Sequence, residues 1–163
     1  MSFIESILSA YAVNRERTQI TLDAIAGLDD PQAALSWRPG SGRAHIGWQI
    51  MHIAVTEELF ATERLAGTSP EFKELCEQFR GGSTPADDNV PTIEQLRDIL
   101  GQSRVHLAAT LATFTEDDLQ KVPEGLSARG WTLQRALQII NWHEGHHQGQ
   151  AHLTLNLFQN RNA

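Results

Sequence analysis

The sequence predicts an all-α protein: a four-helix bundle forming a single domain over residues 1–163, with a long crossover between helices two and three. Three observations carry that expectation. Four long stretches space their apolar residues three and four apart, which gathers them on one face of an α-helix. No run of alternating β-branched residues is bounded by tight hairpin turns. No repeat recurs at a fixed period, and no change of composition marks a second domain, so one core must cover all four stripes.

Helix one is expected from Ser2 to Leu28, with Ile4, Ile7, Leu8, Tyr11, Thr18, Leu22 and Ile25 on one side. Gly27 and the Asp29-Asp30-Pro31 turn stop it. Helix two runs from Ala44 to Leu65 and ends at Gly67. A shorter helical piece, Glu71 to Phe79, precedes the breaker-rich segment GGSTPADDNVP. Helix three follows Pro91, with Thr92 as N-cap and Glu94 and Asp98 near its positive end. Its inner face is Ile93, Leu96, Leu100, Ser103, Leu107, Thr110 and Phe114. Helix four spans Thr132 to Phe158. The long connection before helix three leaves room for a crossover, so the bundle need not alternate up and down.

Composition narrows the function classes. Apolar residues make up 40% and charged residues 20%, the balance of a soluble globular chain. The net charge is -7, and the thirteen basic residues are spread thinly, which speaks against nucleic acid as a partner. A single cysteine, Cys76, excludes an internal disulfide; between Leu75 and Glu77 it reads as packing or surface filler. The opening FIESILSAYAV is broken by Glu5 and followed by NRERTQ, an amphipathic helix start and not a signal peptide. No apolar run approaches the roughly twenty residues of a membrane span, so the expected location is the cytoplasm.

The densest chemistry lies in helix four, in NWHEGHHQGQ. At ~100° per residue, His143 and His147 lie about 40° apart on one face, together with Ala136, Ile140, Ala151 and Phe158. They therefore look into the core, where Gln150 and Thr154 join them. Such a set would leave hydrogen bonds unmet in a dry core, whereas a metal ion with bound water would satisfy them. In helix two, HIGWQIMHIAVTEELF, the face of Trp48, Val55 and Leu59 also carries His52. His52, His143 and His147 are thus the expected ligands of a divalent metal with an open position.

The other histidines, His45, His106, His146 and His152, read as ordinary core or surface residues. His45, at the first turn of helix two, is the reserve ligand or substrate contact. His143-Glu144-Gly145-His146-His147 also satisfies the zinc-protease signature H-E-x-x-H, but no third ligand follows it and no sheet is available to hold a peptide. Glu144, ~100° round from His143, is a candidate partner of the ligands or a base acting through water. No catalytic residue is assigned.

At these residues the chain resembles the DinB/YfiT-like family of metalloenzymes. The likeness lies in Ile46-Gly47-Trp48-Gln49-Ile50-Met51-His52-Ile53 and in His143-Glu144-Gly145-His146-His147-Gln148-Gly149-Gln150. The family's His-x-x-x-His-x-Gly-Gln pattern is met by His143, His147, Gly149 and Gln150. Phe114-Thr115-Glu116-Asp117-Asp118-Leu119, then a loop and Trp131-Thr132-Leu133, resembles the family's passage from helix three to helix four. The resemblance implies a four-helix bundle, often a homodimer, with nickel or zinc held by His52, His143 and His147. Some members are thiol transferases that use bacillithiol or mycothiol, and one branch isomerises maleylpyruvate. The expectation is therefore a metal-dependent enzyme on a small molecule, of thiol-S-transferase type or a hydrolase, with a low-molecular-weight thiol as partner. The alternative is a non-catalytic metal-binding or stress-response module. Gln150, Thr154, Asn14 and Thr18 are the groups expected to orient a nucleophile, and Arg38, Arg43 and Arg129 those expected to offset the acidic charge.

Overall fold

A computed structural model describes residues 2–161, and among them every regular element is helical. In chain order these are α1 (Phe3–Ala26), α2 (Pro31–Ser36), α3 (Ile46–Leu59), α4 (Lys73–Phe79), α5 (Ile93–Leu111) and α6 (Leu133–Gln159). A π-helical segment, Phe60–Ala66, prolongs α3, and two 3-10 turns, Glu116–Asp118 and Glu124–Arg129, connect α5 to α6. The four expected long helices are α1, α3, α5 and α6, and the chain is all-α as predicted. No helix among the described residues is long and apolar enough to cross a membrane.

Local chemistry sets the helix starts. Ser2 and Glu5 form a reciprocal capping box on α1, Thr92 and Gln95 form another on α5, and Thr132 accepts from the Arg135 N–H on α6. Helix α2 lies where only a turn was expected. Asp30 accepts from the Ala33 N–H, and Pro31 fills the first helical position, where its missing N–H costs nothing. At the other end of α5, regular structure stops at Leu111; Phe114 lies beyond it in a turn, still packed on the core.

Side-chain contacts give the helix directions. Tyr11, Asn14, Thr18 and Thr21 reach Leu137, Asn141, Glu144 and Gln148 in the same order, so α1 and α6 are parallel neighbours. Glu57, Glu58 and Ala61 meet Ser103, His106 and Thr110, so α3 and α5 are also parallel. Gln49 meets Gln150 while Thr56 meets His143, so α3 runs against α6. Arg15 and Gln19 meet Leu100 and Arg97, so α1 runs against α5. The order is up-down-down-up. Two successive parallel neighbours require a return path, which explains the long stretch between α3 and α5.

That return path also changes the environment of α3. All 14 of its residues are buried, including Glu57 and Glu58, because α4 and its flanks cover the side that an ordinary bundle helix shows to water. Cys76 and Phe79 of α4 complete one apolar cluster with Leu22, Ile53, Leu100 and Phe158. A second cluster gathers Tyr11, Phe60, Leu107, Leu126, Leu137 and Ile140 at the other end. Each such side chain contributes about 1.5–3 kcal/mol on burial. Between the clusters lies a polar layer contributed by all four long helices.

Candidate metal centre

His52 stands in the middle of α3, its ring stacked on Trp48 with centroids 4.6 Å apart. Its Nδ1–H donates to the Phe79 carbonyl at 2.6 Å. A carbonyl can only accept, so this bond places the proton on Nδ1 and turns Nε2 toward α6. His147 is held in a similar way: its Nδ1–H donates to Gln49 Oε1 at 2.5 Å, and the Gln49 amide donates to Gln150 Oε1 at 3.0 Å. His143 presents Nε2 at 3.1 Å from His52 Nε2 and 3.4 Å from Thr56 Oγ1. One ring nitrogen from each of the three histidines lies within 4.8 Å of the other two.

The electrostatics match the geometry. Burial lowers the pKa of all three rings, taking His143 to about 2 and His147 to about 3, and repulsion from neighbouring histidines adds to it at His143 and His147. At neutral pH the rings are therefore neutral, the form that offers a lone pair to a cation. His52 turns its Nε2 lone pair toward His143 Nε2, and the outer nitrogens of His52 and His147 are anchored by acceptors. That donor set could hold a divalent metal ion.

Glu144, although it follows His143 directly, turns away from the ring cluster. It is 2% exposed and accepts from Arg15 at 2.8 Å, Arg104 at 2.7 Å and Thr18 at 2.9 Å. The rotation of one residue along α6 points it at α1 and α5, where the two guanidiniums wait. It is thus neither a partner of the histidines nor a base, and the zinc-protease reading loses its catalytic group. Glu57 shares the same two arginines, at 2.7 Å from Arg15 and 2.5 Å from Arg104, and accepts from Ser103. Burial acts against the Arg15 charge, yet Glu57 and Glu144 outweigh it and raise its pKa.

Other expected groups fall elsewhere. Asn14 donates to Asn141, and Thr18 is committed to Glu144, so neither faces the histidines. Thr154 donates to the Gln150 carbonyl; Gln150 joins the site through Gln49 and also bonds His146. His45 is fully buried as the N-cap of α3, accepting from the Trp48 N–H at Nδ1 and donating to Ala86 at Nε2. With both nitrogens engaged it is no reserve ligand. His106 pairs with Glu58, His146 stacks on Trp142, and His152 is exposed. Arg38 ties down the loop through Asp87 and two carbonyls. Cys76 is buried, not at the surface, and burial pushes its thiol up to about 12.

Two kinds of residue were missed in the sequence. Gln49, three residues before His52 on the same inward side, is the bridge between His147 and Gln150. Arg15, Glu57 and Arg104 are charges set inside apolar stripes on three helices, with Glu144 balancing them. Beside Gln49 and Gln150 opens a groove of about 410 Å³, also lined by Pro39, Arg43, Leu153 and Thr154.

An up-down-down-up bundle with three imidazoles gathered between antiparallel α3 and α6 defines a class of histidine-centred helical proteins. The DinB superfamily pattern matches residues 10–151, a span that holds all three histidines, and the chain belongs to that superfamily. No curated protein matches the chain. No solved structure matches it either.

Proposed function

We propose that His52, His143 and His147 hold a divalent ion, nickel or zinc, and that the protein is a metal-dependent enzyme acting on a small molecule. Thiol-S-transfer is the preferred reaction, and hydrolysis is its nearest variant. The observation that carries this reading is the convergence of three ring nitrogens within 4.8 Å, two of the rings being oriented from behind by Phe79 and Gln49. A bound ion would lower the pKa of a thiol or water and so supply a nucleophile at neutral pH. The chain's own residues do the rest. Phe79 and Gln49 fix the tautomers, and Trp48 covers one face of His52. Thr56 places a hydroxyl beside His143, able to hydrogen-bond a polar atom of a substrate.

The test uses protein purified without a polyhistidine tag. Metal content is measured first, and conjugation of an electrophile is then assayed with cysteine, glutathione, bacillithiol and mycothiol. Turnover is expected only in metal-loaded protein and is lost in His143→Ala. Equal turnover after metal removal sinks the metal-dependent reading, and no turnover with any thiol sinks the thiol-transfer one. A non-catalytic module is the second reading, favoured by one feature: His52 is anchored to the crossover, so an ion there would pin α4, α3 and α6 together. Its signature is a large stability gain on loading with no exchangeable water at the ion.

We also propose that a second copy of the chain packs against the outer side of α6. That helix is amphipathic twice over. Trp142 and Leu153, 58% and 59% exposed, lie ~20° apart on the side opposite the core, with exposed Leu157 beside them. Light scattering should report a dimer, with Trp142→Glu/Leu153→Glu monomeric and still folded. A monomeric parent protein would remove the proposal.

A further inference from the structure

The π-helical segment Phe60–Ala66 follows the histidine-bearing helix directly. A π turn inserts a residue and re-aims the side chains after it, and such turns recur at functional sites. Here it carries Arg64, whose guanidinium lies 4.3 Å from the centroid of the Phe60 ring. Arg64 is largely taken out of water, and its pKa falls through burial first and then through the charges of Arg129 and Arg80, with Glu63 opposing.

Arg129 is brought there by an unusually close approach. It ends the Glu124–Arg129 turn, and Gly125 of that turn lies on the backbone of the π segment. A Cβ at position 125 would stand 2.4 Å from the Glu63 carbonyl oxygen and 2.8 Å from Arg64 Cα, so only glycine fits. The turn is pressed onto Arg64, and Arg129 extends over Trp131, 5.0 Å from its ring centroid. Arg80 follows Phe79, the residue whose carbonyl holds His52. Arg64, Arg80 and Arg129 thus come from three separate elements, with the turn that carries Arg129 packed on the Arg64 backbone and Arg80 reaching Glu63 next to it.

Their partners are too few. Arg80 has Glu63 at 3.9 Å, with both side chains nearly half exposed. Among the described residues, Arg64 and Arg129 make no ion pair and no side-chain hydrogen bond; each lies over an aromatic ring. Glu77 lines the same hollow as Arg80 and Glu63, which leaves Arg64 and Arg129 as the two guanidiniums of the group without a carboxylate partner among the described residues. Arg64 lies over Phe60, one helical turn beyond Thr56, whose hydroxyl is 3.4 Å from His143 Nε2.

We infer that Arg64 and Arg129 bind an oxyanion of the substrate, a carboxylate or a phosphate carried by a small molecule whose reacting part lies at His52, His143 and His147. A guanidinium matches such a group with two parallel N–H···O bonds, and ring-stacked guanidiniums keep their N–H edges free for it. The placement of the reacting part rests on the proposed metal centre; the anion site itself does not need the ion.

The experiment is calorimetric titration of untagged protein, metal-free and Ni²⁺-loaded, with succinate and with inorganic phosphate at constant ionic strength. One of the two is expected to bind, and the tighter identifies the group. Arg64→Gln and Arg129→Gln should each weaken it about tenfold or more, Arg64→Lys should recover part of the loss, and Ni²⁺ stoichiometry should stay unchanged. Arg129 is exposed, so its variant reports on binding even where Arg64→Gln fails to fold. Absence of binding by both anions, or equal binding in Arg129→Gln, overturns the inference. Anion binding without Ni²⁺ uptake overturns the metal centre and leaves the anion site standing.

Discussion

Glu57→Ala should destabilise the protein by about 3–5 kcal/mol, the largest effect expected of any single substitution in the polar layer. The carboxylate is 2% exposed and receives Arg15, Arg104 and Ser103. Removing it leaves two guanidiniums, with side chains 13% and 20% exposed, sharing Glu144 alone. An uncompensated buried charge costs far more than the net worth of the pair, because desolvation has already been incurred. Glu57→Gln should lose less, since an amide oxygen still accepts from one arginine. Urea unfolding measures both, read as a shift of midpoint at constant slope. A loss under about 1 kcal/mol for Glu57→Ala would show that water reaches the layer and replaces the carboxylate.

The reach of the sequence followed the range of the interactions. Helix starts were legible because caps are local: Thr92 and Thr132 act within three residues of themselves. The inward face of α6 was legible because Ala136, Ile140, Ala151 and Phe158 recur at helical spacing beside His143 and His147, even though Trp142 and Leu153 lie on the opposite side. The same reasoning fails for α3. Covered on every side, it buries Gln49, Glu57 and Glu58 as fully as Ile50, and periodicity carries no sign of which polar residue does what. Glu144 shows a finer limit. Its angle to His143 is known from the sequence, but whether a position at the edge of a face turns to the histidines or to α1 depends on where Arg15 and Arg104 stand. That is tertiary information. The packing of Gly125 on the π segment is hidden for the same reason, since it joins residues some sixty positions apart.

Loading the histidines with Ni²⁺ or Zn²⁺ is expected to raise the melting temperature, and a chelator to reverse it. At a free-metal concentration about a thousand times Kd the gain is ~4 kcal/mol, roughly 8–16 °C for a chain of this size. His52→Ala should abolish the shift, because it removes the only ligand from α3 and leaves two histidines on one helix. Gln49→Leu offers the sharper measurement. It keeps all three rings but takes away the oxygen that holds His147 Nδ1–H and the amide that reaches Gln150. The His147 ring is then free to turn or to change tautomer, and affinity should fall about 10–100-fold with one ion per chain still bound. The two variants therefore separate ligation from orientation: one changes the stoichiometry, the other only the affinity. Unchanged affinity in Gln49→Leu would mean that packing against Trp48 and His52 already fixes His147, and that the glutamine serves Gln150 instead.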